Sequence, residues 1–185
     1  MAIVWGAQQR KRVVSRDNNI SRLHGLYQEV FNGRNIDAAD EYVHADMYEH
    51  EVFPGFDPGR EGFKSLVRAM HAAFPDLYVT VEDMIADRDK VVARVTFRGT
   101  HSGDFLGLSA SGNRTSIPGI DIVRFSHGKI IEHWGLTDQL ALARQAGAAA
   151  GEPSIAADTG TSTRRRVAPS GAKPARQTLT GVENL

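Results

Sequence analysis

An aspartate stands where a β-hairpin should be apolar. In the run Gly119-Ile-Asp-Ile-Val-Arg-Phe-Ser-His-Gly-Lys-Ile-Ile-Glu-His-Trp-Gly-Leu-Thr-Asp138, Asp121 interrupts a strand-like series of aliphatic residues. If His127-Gly128 forms the two-residue turn, with both residues at positive φ, Ser126 pairs with Lys129, and an unbroken register sets Asp121 opposite Trp134. A carboxylate beside an indole on a buried face loses hydration. Its pKa should rise, and it becomes a general acid or base near neutral pH. The competing reading is a structural aspartate at a sheet edge or paired with Arg124 or Arg114.

His101 is the second residue of this kind. Alternation from Val91 places Ala93, Val95, Phe97, Gly99 and His101 on the face that carries the core. A histidine at the end of that face either donates to a developing enolate or alkoxide oxygen or closes the strand with a hydrogen bond. No His-Glu-x-x-His helix or clustered ligand spacing occurs, so no metal is expected. The glycines between Gly99 and Gly112 lie between strands and do not open a helix after one, which argues against a dinucleotide. The elbow motif of a nucleophilic serine is missing as well. Metal, dinucleotide and serine-nucleophile chemistry are thereby set aside.

The elements that must position these groups begin with helices. Ile20, Leu23, Tyr27, Val30 and Phe31 recur at helical spacing, with Asn32-Gly33 as the closing cap. A short helix capped by Asn35 follows over 36–43, and residues 47–52 look extended. A Pro-Gly-rich loop at 54–59 offers a pocket rim carrying Phe53 and Phe56. A long helix then lines up Phe63, Leu66, Val67, Met70 and Phe74 and stops at Pro75, which cannot continue the hydrogen-bond ladder. Strands are predicted over 77–86, 91–100, 115–125 and 129–136. Three helices followed by an antiparallel sheet make an α+β domain. The sheet must curl if helices are to cover one face and leave a cavity, so a cone-shaped α+β barrel is expected, three N-terminal helices packed on a curved, mainly antiparallel sheet.

The chain has 185 residues, 41% of them hydrophobic, no cysteine and a formal net charge of zero. That suffices for one cored domain, excludes disulfides and thiolate chemistry, and supplies no bulk electrostatic pull toward nucleic acid or an anionic membrane. No apolar run is long enough to span a bilayer and the N-terminus lacks a secretion-signal core, so a cytoplasmic protein is expected. The predicted organisation is an N-terminal arm over 1–16, a domain over 17–146, and a flexible, polar tail over 147–185 in which Arg164-Arg165-Arg166 is the only dense charge.

The order of elements, with Phe31-Asn32-Gly33, Tyr48-Glu49-His50, Gly59-Arg60-Glu61-Gly62, Phe74-Pro75-Asp76-Leu77, Gly99-Thr100-His101-Ser102-Gly103 and Gly128-Lys129-Ile130-Ile131-Glu132-His133-Trp134, resembles the SnoaL-like polyketide cyclases. These belong to the cone-shaped nuclear-transport-factor-2-like superfamily. The resemblance spans roughly 17–146. It implies a cofactor-free intramolecular aldol closure of a small-molecule polyketide in antibiotic biosynthesis, in which an aspartate takes a proton from between two carbonyls and returns one to the new alkoxide. Asp121 stands at the position of that aspartate. The resemblance also turns His50 toward the pocket to orient a carbonyl. Trp134 and Asp138 follow the pattern of the family's last strand, Trp134 as a wall against water and Asp138 either orienting Trp134 or His133 or capping the next helix. Tyr27, Phe53 and Phe56 are the aromatic surfaces expected to hold a flat substrate.

The same fold hosts other chemistries. A cofactor-independent hydroxylase, an epoxide hydrolase, a pyran-forming cyclase and a non-catalytic ligand-binding module are the alternatives. Two departures from the family stand out: Ser126-His127-Gly128 in place of an Asp-Gly turn, and the long tail. Ile120, Ile122 and Ile131 with Arg124 on the outer sheet face predict a homodimer or homotetramer.

Overall fold

The protein is described from a computed structural model that covers residues 16–147 apart from Val52. Of the arm and the tail expected at 1–16 and 147–185, all but Arg16 and Gly147 lie outside the described residues. The described part is a mixed α+β fold built on a five-stranded sheet.

Helix α1 occupies 16–26 and continues as a single π-helical stretch, Tyr27–Asn32. Its apolar spacing is the reason it forms against the sheet: Leu23, Tyr27, Val30 and Phe31 are all buried. The wider turn is closed by the Gly33 N–H donating to the Gln28 carbonyl at 2.7 Å, a five-residue step. The left-handed residue that ends the segment is Arg34, φ 57°, rather than Gly33, φ −79°. A 3₁₀ turn, Ile36–Ala38, leads into α2, Ala39–Tyr42, and Asn35 makes no side-chain cap. Strand β1 is Val43–Glu49, helix α3 Gly59–Ala73, and four antiparallel strands follow: β2 Tyr78–Asp87, β3 Lys90–Thr100, β4 Arg114–Ser126 and β5 Lys129–Thr137. Helix α4, Gln139–Gln145, ends the described fold. The buried Lys64 of α3 reaches the Asp40 carboxylate of α2 at 2.6 Å and so ties these two helices together.

The sheet order is β1-β5-β4-β3-β2, with β1 parallel to β5 and the remaining pairs antiparallel. The expected run of three helices before four strands is therefore corrected. Segment 43–49 pairs with the last strand and becomes an edge strand between α2 and α3, while the helix foreseen after Asp138 does follow the sheet.

The decisive detail is in the β4–β5 hairpin. His127 and Gly128 take φ 49° and 76°, and Ser126 pairs with Lys129 as the turn residues require. The ladder then slips by one residue. Phe125 pairs with Ile130 but Arg124 pairs with Glu132, so Ile131 is left over as a bulge. Beyond it the faces exchange: Asp121 lies opposite Gly135, and Trp134 lies opposite Ile122 on the outer side. The expected Asp121–Trp134 pair does not form.

The outer face is consequently less apolar than expected. Ile120 is exposed, but Ile122 and Ile131 are half-buried, and a polar row crosses the face. Lys90 Nζ sits 4.4 Å from the Trp134 ring centre, Trp134 stacks on His50 at 4.6 Å, His50 Nε2 meets Glu132 at 3.0 Å, and Arg124 Nε donates to Glu132 at 2.6 Å.

One side chain fixes the end of α1 on the edge strand β2. Asn32 Oδ1 accepts the Val79 N–H at 2.7 Å and its Nδ2 donates to the Val79 carbonyl at 3.0 Å, so the amide stands in for a neighbouring strand. Two bonds at roughly 0.5–1.5 kcal/mol each are at stake. Asn32→Ala is expected to lower the unfolding free energy by about 1–3 kcal/mol in urea titrations. A change below about 0.5 kcal/mol would show that packing alone holds this junction.

Candidate active site

Between α1, α3 and the inner sheet face lies a cavity of about 130 Å³. One water needs only about 10–15 Å³ on this scale, so the space is far larger than a packing flaw. Leu23, Leu26, Phe31, Phe63, Met70 and Phe97 supply its apolar wall. Phe31 organises the aromatic part, with ring centres 5.8 Å from Tyr27, 5.9 Å from Phe63 and 6.2 Å from Phe97.

Into this wall project an acid, a base and a phenol in contact. Asp121 shares the inward parity of Val123 and Phe125 on β4 and is only 9% exposed. Its Oδ2 accepts the Tyr27 hydroxyl at 2.5 Å, and its Oδ1 lies 3.3 Å from His133 Nε2. The other ring nitrogen of His133, Nδ1, is 2.8 Å from both carboxylate oxygens of Glu49 on β1. The imidazole is thus gripped by a carboxylate on each side. Burial by itself lowers the His133 pKa, but the hydrogen bonds and charges of Asp121 and Glu49 outweigh it and raise the value from 6.5 to about 10. His133 is an imidazolium at neutral pH. The Tyr27 pKa is raised as well: burial, then the charge and hydrogen bond of Asp121, lift it well above 10.0 and keep the phenol a neutral donor.

A third carboxylate shares the space. Glu51 Oε1 accepts the Thr137 N–H at 3.2 Å. Its Oε2 lies over Gly135, so close that an added Cβ there would be 2.0 Å from Oε2 and 2.9 Å from His133 Cε1. The bare backbone of Gly135 is what lets Glu51 approach Asp121 across the hairpin. Burial foremost raises the Glu51 pKa; the Thr137 N–H and the His133 charge oppose this, and Asp121 and Glu49 reinforce it.

Of the residues picked out from sequence, Asp121, Tyr27 and Phe53 line this cavity, and Phe56 lines the adjoining cleft formed with Phe53, Pro58 and Phe63. The others lie elsewhere. His101 is fully buried outside the cavity lining, just past the end of β3 at Thr100, with Nδ1 3.3 Å from Ser111 Oγ and its ring stacked at 5.2 Å on Phe74, which lines the cavity in its place. His50 and Trp134 face outward, stacked on each other. Asp138 caps α4, accepting the Ala141 N–H at 2.8 Å.

Sequence reasoning missed His133, Glu49 and Glu51. The signal for the glutamates was present: Met47 is an inward apolar residue on β1, and counting by two from it gives Glu49 and Glu51 rather than Tyr48 and His50. His133 carried no comparable signal, since Ile130-Ile131 suits either phase of the strand. Among the described residues no group of three or more His, Asp or Glu has an arrangement that would hold a metal ion, and no helix is long and apolar enough to cross a membrane.

The model of the SnoaL-like polyketide cyclase family matches residues 21–146. A curated relative, nogalonic acid methyl ester cyclase of Streptomyces nogalater, is 29% identical over 120 residues, covering 64% of this chain and 90% of its own. Among solved structures, TsrD from Streptomyces laurentii superposes with a TM-score of 0.65 at 32% identity, covering 70% of this chain and 96% of its own. IdmH from Streptomyces antibioticus does so with a TM-score of 0.60 at 30% identity, covering 69% and 96%.

The charged His133 has a consequence for stability. Its folded pKa is raised, so the stabilisation it brings is complete below 6.5 and is lost as pH climbs through about 10. The thermal midpoint of the wild type is expected to fall between these limits more steeply than that of His133→Gln. NMR titration of the imidazole C–H signals should place one histidine near 10; if every histidine titrated near its ordinary value, the double carboxylate grip would be refuted.

Proposed function

The chain belongs to the SnoaL-like polyketide cyclase family, and from that membership we propose that it closes a ring in a polyketide by a cofactor-free intramolecular aldol reaction, with Asp121 as the base. The observation that carries this reading is the contact of Asp121 with Tyr27 and His133 inside an aromatic-walled cavity. A methylene flanked by a ketone and an ester is acidic enough for a carboxylate to deprotonate. The proton passes to Asp121, and the enolate carbon attacks a ketone carbon of the same molecule.

Each neighbour has a part in this step. Tyr27 and His133 hold one Asp121 oxygen each, which fixes the angle at which the base meets the C–H bond. The imidazolium places a positive charge next to the developing enolate, and Glu49 keeps that ring from turning. In this reading the electrophilic role foreseen for His101 passes to His133. The flat walls of Phe31, Phe53 and Phe63 fold the chain so that carbanion and ketone meet. The closed, cone-like curvature of the family's sheet is part of the same proposal, since it is what would shut water out of the cavity.

The curated relative's name supplies a probe. Nogalonic acid methyl ester, incubated with purified protein without added metal or nicotinamide, should cyclise. Asp121→Asn, which keeps the shape and one acceptor oxygen for His133 but turns the other into an amide donor facing Tyr27, is expected to slow closure on the order of 10²- to 10⁴-fold with folding intact by circular dichroism. Equal rates in the two proteins would remove Asp121 from the chemistry.

A further inference from the structure

We propose that Glu51 is the second proton-transfer group of the cavity, donating its proton to the ketone oxygen that becomes an alkoxide as the ring closes, while Asp121 takes the proton from carbon. The proposal rests on the cyclase reading and deepens it. An aldol closure needs a proton removed at one carbon and a proton delivered at the oxygen of another. Asp121 is held in one orientation by Tyr27 on one oxygen and His133 on the other, so it cannot turn from the carbon it deprotonates to a separate ketone oxygen.

Glu51 has the complementary position. It projects from the segment after β1, across the hairpin from Asp121, and its Oε1 is anchored on the Thr137 N–H. Its Oε2 rests on Gly135, the register partner of Asp121, in space that any larger residue would fill. The side chain also borders both the cavity and the adjoining cleft, among residues common to the two, so a substrate extending from one into the other would pass it. The charged groups facing it are His133 on β5, Asp121 on β4 and Glu49 on β1. Burial, the largest influence, favours the neutral carboxyl that a donor requires.

The step balances without an oxidant or reductant. A C–H bond breaks and its proton goes to Asp121; a C–C bond forms; the former carbonyl electron pair becomes an O–H bond with the Glu51 proton. The product is an isomer of the substrate, and one proton passed through solvent from Asp121 to Glu51 restores both groups.

The test separates the two protons. A nogalonic-type polyketide methyl ester, deuterated at the carbon that becomes the nucleophile, is given to wild type, Asp121→Asn and Glu51→Gln, and deuterium loss above the no-enzyme rate is followed beside ring closure. Glu51→Gln keeps the Oε1 acceptor for Thr137. It is expected to release deuterium at close to the wild-type rate yet close rings on the order of 10²- to 10⁴-fold more slowly. The decline of kcat with rising pH, which reports loss of the Glu51 proton in the wild type, should vanish in it. Glu51→Asp, which withdraws the acid by one methylene, should close rings at an intermediate rate and retain the decline. Closure by Glu51→Gln within a few-fold of wild type, or loss of deuterium release together with closure, overturns the role of Glu51 and leaves the cyclase reading intact. A wild type that neither releases deuterium nor closes the ring overturns the cyclase reading, and this proposal with it.

Discussion

Charge taken out of water has to be matched, and here the matching is done between Asp121 and His133. A lone ionised carboxylate 9% exposed among aromatic rings would be strongly unfavourable. With a cation on one oxygen and a phenol on the other it becomes tolerable, and the cation is itself steadied by Glu49. The pair carries the usual asymmetry of buried ions: modest as a source of stability, damaging if one partner is removed. In the proposed reaction the pair keeps a base preoriented in an apolar hollow, where fixed charges act more strongly than they would in water.

The rest of the domain serves that contact. Tyr27 reaches Asp121 from the first residue of the π-helical stretch, where the wider turn sets its ring beside Phe31. The Asn32 amide pins the far end of the same stretch to Val79, which fixes the distance between α1 and the sheet. Glu49 arrives on β1, and its register against β5 pairs it directly with His133. Four separate pieces of chain thus converge on one imidazole and one carboxylate.

Much of this was legible in the chain. The helix of Leu23, Tyr27 and Phe31, the stop at Pro75, the His127-Gly128 turn and the inward placing of Asp121 follow from periodicity and turn chemistry alone. The partner of Asp121 was not legible, because a bulge at Ile131 adds one residue without any change in residue type to announce it. His50 was assigned inward by resemblance, whereas parity from Met47 gives Glu49. His101 kept its predicted face but ran past the end of its strand, and a histidine stacked on Phe74 reads from sequence like one lining a pocket.

The bulge also constrains how such a chain can diverge. Because side chains alternate strictly beyond it, one residue gained or lost between the turn and His133 would present the Trp134 indole to the cavity and the imidazole to solvent. Substitutions in the aromatic wall change the shape of the hollow gradually, but a change of length in β5 exchanges chemistry for surface in a single event. Point replacements on α1 and α3 can therefore reshape the hollow while its charged groups stay in place, whereas a change in hairpin length takes those groups out of it.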